Sequence, residues 1–230
     1  MTPGEFRLRV RYRKSGRLRW LSHLEVVHSL ERSIRRAGLP FAVTQGFSPH
    51  MKAAFGPALP VGTASEKEYL DVWLREYTDA ASVVGKLADA SPADLVPSEA
   101  AFVSLNAPAL AATLTIGLYR VDVDGEELRQ GDVHAALARL ISAGQLAVEH
   151  RGKQKVFDLT QAVPKDASVG ERESGVVIGL TLRMGPQGSL RPESLVRAAA
   201  EAAGLKIAAV RTTRLDTLVD EGEGVWSRPL

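Results

Sequence analysis

The chain has 230 residues, 45% hydrophobic and 24% charged, with 29 Lys and Arg against 27 Asp and Glu for a net charge of +2. That length buries roughly 70–75% of the unfolded surface, needs no covalent staple, and suffices for two domains of about a hundred residues. Zero cysteines exclude a disulfide framework, a thiolate zinc site, a cysteine nucleophile and an iron–sulfur cluster held by this chain.

Phe6, Leu8, Val10 and Tyr12 alternate with Arg7, Arg9, Arg11 and Arg13, the period of two that marks a half-buried strand. After a turn at Lys14-Ser15-Gly16, Ser22 followed by Glu25 forms a capping box, with Leu21 and Val26 as its hydrophobic staple. Leu24, Val27, Leu30, Ile34 and Ala37 recur at helical spacing, and Gly38 with Pro40 beyond it stops the helix. The segment 45–65 is rich in Gly and Pro yet too apolar for a linker, so it reads as an ordered loop. A strand is expected over 67–75, a helix capped by Thr78 or Asp79 running to about 90, and another strand over 96–105.

The pattern then repeats. Strands open near 6, 67, 113 and 176, and helices near 22, 79, 132 and 192. This predicts an α+β protein built from two tandem ferredoxin-like βαββαβ units with antiparallel sheets, over 1–105 and 107–220, joined near Asn106-Ala107-Pro108. One larger α+β domain is the alternative. The acidic run Asp220-Glu221-Gly222-Glu223-Gly224 reads as disordered, and 221–230 as a tail.

Residues 1–60 hold 11 Lys and Arg against three Glu, a balance of +8, which points to an anionic partner. In a ferredoxin-like sheet both helices cover one face, so the other carries Arg7, Arg9, Arg11 and Arg13 beside Tyr69 and Trp73. Cations supply phosphate affinity and aromatic rings stack on bases, so this row is a candidate RNA-binding surface. Arg32 and Arg36, on the outward stripe of the first helix with His28 and Arg35, extend it. The opposite expectation is a covered face in which Asp71 and Glu68 pair with some of the arginines. In the loops, His23, Gln45, Gly46, Phe47, His50 and Lys52 are further candidates; Gly46 lets backbone approach a ligand, and His50 and Lys52 suit an anion. Two histidines without a carboxylate cluster predict no metal site, and the capping box accounts for Ser22 without a catalytic triad.

The blocks Lys14-Ser15-Gly16, Arg19-Trp20-Leu21-Ser22-His23-Leu24-Glu25, Arg35-Arg36-Ala37-Gly38-Leu39-Pro40, Gln45-Gly46-Phe47-Ser48-Pro49-His50, Leu59-Pro60-Val61-Gly62, Ser65 and Glu68-Tyr69-Leu70-Asp71 resemble, in order and spacing over about residues 6–75, the radical-SAM-linked family of unknown function. Many relatives carry Asp where Glu25 stands, and both residues fit a capping box. Members of that family occur alone or fused to the C-terminus of a cobalamin-binding radical SAM protein. The resemblance therefore implies a radical SAM partner carrying the iron–sulfur cluster, S-adenosylmethionine and, in the fused forms, cobalamin, with no cofactor on this chain. The family's setting beside ribonuclease E/G-type genes implies work on RNA. It supplies no catalytic residue.

The expected function is thus an accessory protein that binds tRNA or rRNA for modification by a radical SAM partner, more a non-catalytic subunit than an enzyme. A protein-docking adaptor is the alternative. A metal-independent nuclease like the repeat-processing endoribonucleases of CRISPR systems ranks below both, because their C-terminal glycine-rich loop is missing. No apolar run reaches the roughly 18–20 residues of a membrane span, and the N-terminus opens in charged alternation, so a cytoplasmic protein without membrane contact is expected.

Overall fold

The alternation that begins at Phe6 becomes β1 (Phe6–Lys14), and the capping box starts α1 (His23–Arg36), which gives way at Gly38 with φ +65°. The computed structural model describes residues 4–150, 152–185 and 188–230. After α1 come β2 (Ala53–Phe55), β3 (Ala64–Leu74), α2 (Ala80–Ala90), β4 (Pro97–Val103) and the single turn α3 (Leu110–Thr113). Next are β5 (Leu114–Asp124), α4 (Gln130–Ser142), β6 (Gln145–His150), β7 (Lys153–Asp158) and the single turn α5 (Leu159–Ala162). β8 (Lys165–Arg172), β9 (Gly175–Arg183), α6 (Pro192–Ala202), β10 (Ala209–Gly222) and β11 (Val225–Ser227) complete the chain. The fold is mixed α+β and mostly antiparallel, with six helices among the described residues.

The chain divides into two units between Leu114 and Thr115, several residues beyond the expected joint, and residues 227–230 belong with the first unit. In the first unit the strands run in the order β4-β1-β3-β2, each neighbouring pair antiparallel. Register sets Leu8 opposite Val72 and Val10 opposite Leu70. These side chains meet Val26, Leu30 and Ile34 of α1 and Val83 and Leu87 of α2 in one buried core. A bulge between Tyr12 and Lys14 ends the regular pairing of β1 with β3.

In the second unit the order is β10-β5-β9-β8, with β9 antiparallel to both β5 and β8. Its core joins Val121, Val123, Ile178 and Leu182 to Leu137 of α4 and Leu195 of α6.

Two expectations are corrected. Two simple units of four strands would hold eight, whereas the described residues form eleven. The antiparallel hairpin β6–β7 and the turn α5 are inserted between α4 and β8, and β11 is added after β10. Residues 221–230 are not a disordered tail: β10 continues to Gly222, Glu223 and Gly224 take φ of 52° and 78° in a tight turn, and β11 pairs back onto β10.

Candidate nucleic-acid interface

Pairing of β1 with β3 places Arg9 opposite Asp71, Arg7 opposite Trp73 and Arg11 opposite Tyr69. Asp71 is fully buried, and Arg7 and Arg9 are 4% and 7% exposed. Arg7 donates to Asp71 Oδ2 from Nε at 2.9 Å and from Nη2 at 2.6 Å. Arg9 donates from Nε to Oδ1 at 2.8 Å and from Nη2 to Oδ2 at 3.0 Å. Backbone carbonyls take further guanidinium N–H groups: Arg7 reaches Leu105, Ala107 and Pro108, and Arg9 reaches Pro229 at 3.2 Å.

The open row of four arginines is therefore corrected. A phosphate could reach Arg7 or Arg9 only by displacing buried, charge-assisted bonds, so these two are structural. Tyr69, 1% exposed, has no face for a base. Trp73 is half-buried, with the Arg7 guanidinium 4.8 Å and the Lys52 ammonium 5.3 Å from its ring centroid. Arg11 pairs with Glu99 at 2.5 Å and donates to Ser98 Oγ at 3.3 Å, while Arg13 is exposed with Ala93 O at 3.5 Å.

On α1 the outward stripe is as expected. His28, Arg32, Arg35 and Arg36 are all exposed. Arg35 lies over the Phe41 ring at 5.9 Å, and Arg36 Nη2 donates to Ala90 O at 2.6 Å. Among the described residues none of these arginines has a carboxylate within ion-pair reach.

The helix itself is anchored by Ser22, whose Oγ accepts from Glu25 N at 3.4 Å and donates to Glu25 Oε2 at 2.7 Å, while Ser22 N donates to the same oxygen at 2.8 Å. The Ser22 hydroxyl and amide hold the Glu25 carboxyl below its ordinary pKa. His23, half-buried and edge-on to Phe55 at 6.1 Å, faces with Tyr12, Lys14 and Glu68 a space of about 10 Å³, room for one water. Lys14 and Glu68 are 2% and 4% exposed, and Lys14 Nζ donates to Leu21 O at 2.8 Å.

Of the loop candidates, Gln45, Gly46, Phe47 and His50 are exposed together, with Gly46 at φ +134°. Lys52 stands apart from them, ion-paired with Glu5.

Three exposed apolar side chains went unread in the sequence: Trp20 is 64% exposed, Leu24 66% and Val61 58%. Gly62, at φ +86°, lets Trp20 lie against it, since a Cβ there would sit 2.9 Å from the indole. Arg19 N–H chemistry fixes the contact: Arg19 Nε donates to Gly62 O at 2.8 Å, and Gly62 N donates to Arg19 O at 2.9 Å.

In the second unit, Glu126, Glu127, Arg129, Glu171, Arg172 and Glu173 line a concavity of about 490 Å³ whose mixed charge suits no phosphate. Among the described residues no group of three or more His, Asp or Glu is placed to hold a metal ion, and no helix is long and apolar enough to cross a membrane.

The fold and site define a two-unit α+β protein in which α1 presents a stripe of exposed arginines, while Arg7 and Arg9 of β1 are buried. The chain belongs to the family described as an uncharacterized protein conserved in bacteria, DUF2344, which it matches over residues 7–192. No curated protein matches the sequence. Among solved structures it is similar to a chain of a Cbf5-Nop10-Gar1 complex, at 12% identity and TM-score 0.49, over 93% of this chain and 50% of that one. It is also similar to an unknown protein from Galdieria sulphuraria, at 15% identity and TM-score 0.27, over 92% and 99% of the two chains. This chain spans half the length of the first, and neither likeness bears on function.

Proposed function

We propose that this is a cytoplasmic, RNA-binding accessory protein that presents tRNA or rRNA to a radical SAM partner, and that its two units are ferredoxin-like. The strand orders β4-β1-β3-β2 and β10-β5-β9-β8 support the reading of the units. The iron–sulfur cluster, S-adenosylmethionine and any cobalamin belong to the partner in this reading, because the chain has no cysteine to ligate a cluster.

The observation that carries RNA binding is the α1 stripe of exposed arginines without carboxylate partners. Unpaired surface cations release counterions when they meet phosphates, whereas those already paired, such as Arg7 and Arg9, do not. Affinity for single-stranded RNA, measured by fluorescence anisotropy at several salt concentrations, tests it. With two phosphate contacts removed, Arg32→Ser combined with Arg35→Ser flattens the log affinity–log salt slope by ~1.4. Parent binding no tighter than that of an unrelated protein of equal charge overturns the proposal.

Trp20, held against Gly62 yet 64% exposed, favours a second reading, a docking adaptor. That reading predicts no RNA binding by the parent, and loss of a co-purifying protein on Trp20→Ala.

A further inference from the structure

The run Thr44-Gln45-Gly46-Phe47-Ser48-Pro49-His50 closes on itself. Thr44 N donates to His50 O at 2.8 Å, and His50 N donates to Thr44 Oγ1 at 3.2 Å. Below this closure Val43 bridges Met51, and Lys52 N donates to Ala42 O at 2.8 Å, so the loop stands on a two-stranded stem. At the tip Phe47 is fully exposed. An ordered loop that leaves a phenyl ring entirely in water gains nothing from it in the folded chain.

The His50 ring is also fixed. Its Nδ1 lies 3.2 Å from Ser48 O and 3.0 Å from Thr44 Oγ1. A carbonyl only accepts, so in the neutral ring Nδ1 carries the proton and the exposed Nε2 holds the lone pair. The tip thus offers one aromatic face and one hydrogen-bond acceptor on a rigid support. Phe41, on the chain entering the stem, lies 5.9 Å from the Arg35 guanidinium, so the cations of α1 begin where the hairpin leaves the body of the unit.

We propose that this hairpin tip binds one unpaired nucleobase, Phe47 stacking on its face and His50 Nε2 accepting an N–H from its edge. The inference rests on the RNA-binding reading and names the part of the RNA recognised. A nucleobase suits the tip better than a protein surface does. A protein hot spot is ringed by further contacts that exclude water, whereas Phe47 is flanked by Gln45, Gly46, Ser48 and Pro49, all exposed. Stacking needs only the ring.

The test uses single-stranded RNA carrying one 2-aminopurine, whose fluorescence is quenched on stacking. Parent protein quenches the probe, and Phe47→Ala abolishes quenching and weakens binding ~10-fold without changing the salt slope. Phe47→Trp keeps both properties and Phe47→Leu loses both. Parent binds the 2-aminopurine strand about threefold tighter than one carrying unsubstituted purine, which has no N–H to donate, and His50→Phe erases that difference. Phe47→Leu binding like the parent would identify an apolar docking tip and overturn the inference, as would unquenched fluorescence in a parent complex or equal affinity for the two strands. Those results leave RNA binding through α1 standing. Absence of RNA binding by the parent removes both proposals.

Discussion

Asp71 accepts four hydrogen bonds from two guanidiniums while fully buried. Neutralising it leaves two desolvated cations facing backbone carbonyls and an amide, and unpaired buried charge is among the most costly defects a core can carry. Asp71→Asn is expected to destabilise the protein by about 3–5 kcal/mol in urea unfolding. Arg9→Met costs less, because Arg7 still neutralises the carboxylate. Equal losses from the two variants would show that the cluster does not act as a charge triad. The sequence made part of this legible. Alternation placed the arginines on one face and Asp71 on a neighbouring strand. What closes over them was out of reach: the carbonyls of Leu105, Ala107 and Pro108 lie about a hundred positions from Arg7, and Pro229 lies 220 from Arg9. Contacts at that separation follow from the finished fold, not from any local pattern.

At the level of elements, α1 shows how far local signals reach. Its capping box, its buried face of Val26, Leu30 and Ile34 and its basic outer stripe all follow from spacing, and Asp79 likewise caps α2 through Ser82 N at 2.8 Å. Ser22→Ala removes one cap acceptor and is expected to cost ~1 kcal/mol in thermal or urea unfolding. RNA affinity stays within twofold of the parent's, since Ser22 is occupied by Glu25 and stands at the end of α1 opposite Arg35 and Arg36. A variant that melts like the parent but loses binding would make Ser22 a site residue. The inserted elements were not legible for physical reasons. β2 has three residues, too few to display alternation. β6 and β7 form a sheet of their own, so no long apolar run marks them. Glu223 and Gly224 looked like a charged tail because acidic composition resembles disorder, yet positive φ at both makes the pair a hairpin turn.

The whole molecule carries 29 Lys and Arg, and its charge balance depends on carboxylates that the fold holds ionised. Arg211 lowers the pKa of Asp124, donating at 2.7 and 3.1 Å, with Ser174 and Arg172 adding to the effect. Arg183 does the same for Asp220, and Thr160 for Asp158. Glu25, held by Ser22, supplies a fourth such group in the other unit. A carboxyl with a depressed folded pKa binds fewer protons folded than unfolded. Its stabilisation is therefore present above the unfolded value of about 4 and is lost as pH falls through the folded value. Melting temperature is expected to stay nearly level from pH 7 to about 5, then to fall steeply below about 4 as these groups protonate and the cations repel one another. Asp124→Asn isolates one contribution. At pH 7 the variant melts below the parent, and the gap narrows as pH falls below about 4 and closes only below the depressed folded value, where Asp124 is uncharged in both states of the parent. These groups are near the surface, so salt narrows the gap at pH 7 as well. A gap that persists undiminished at low pH would show that Asp124 supports β5 through packing or neutral hydrogen bonds, and that its charge is incidental to stability.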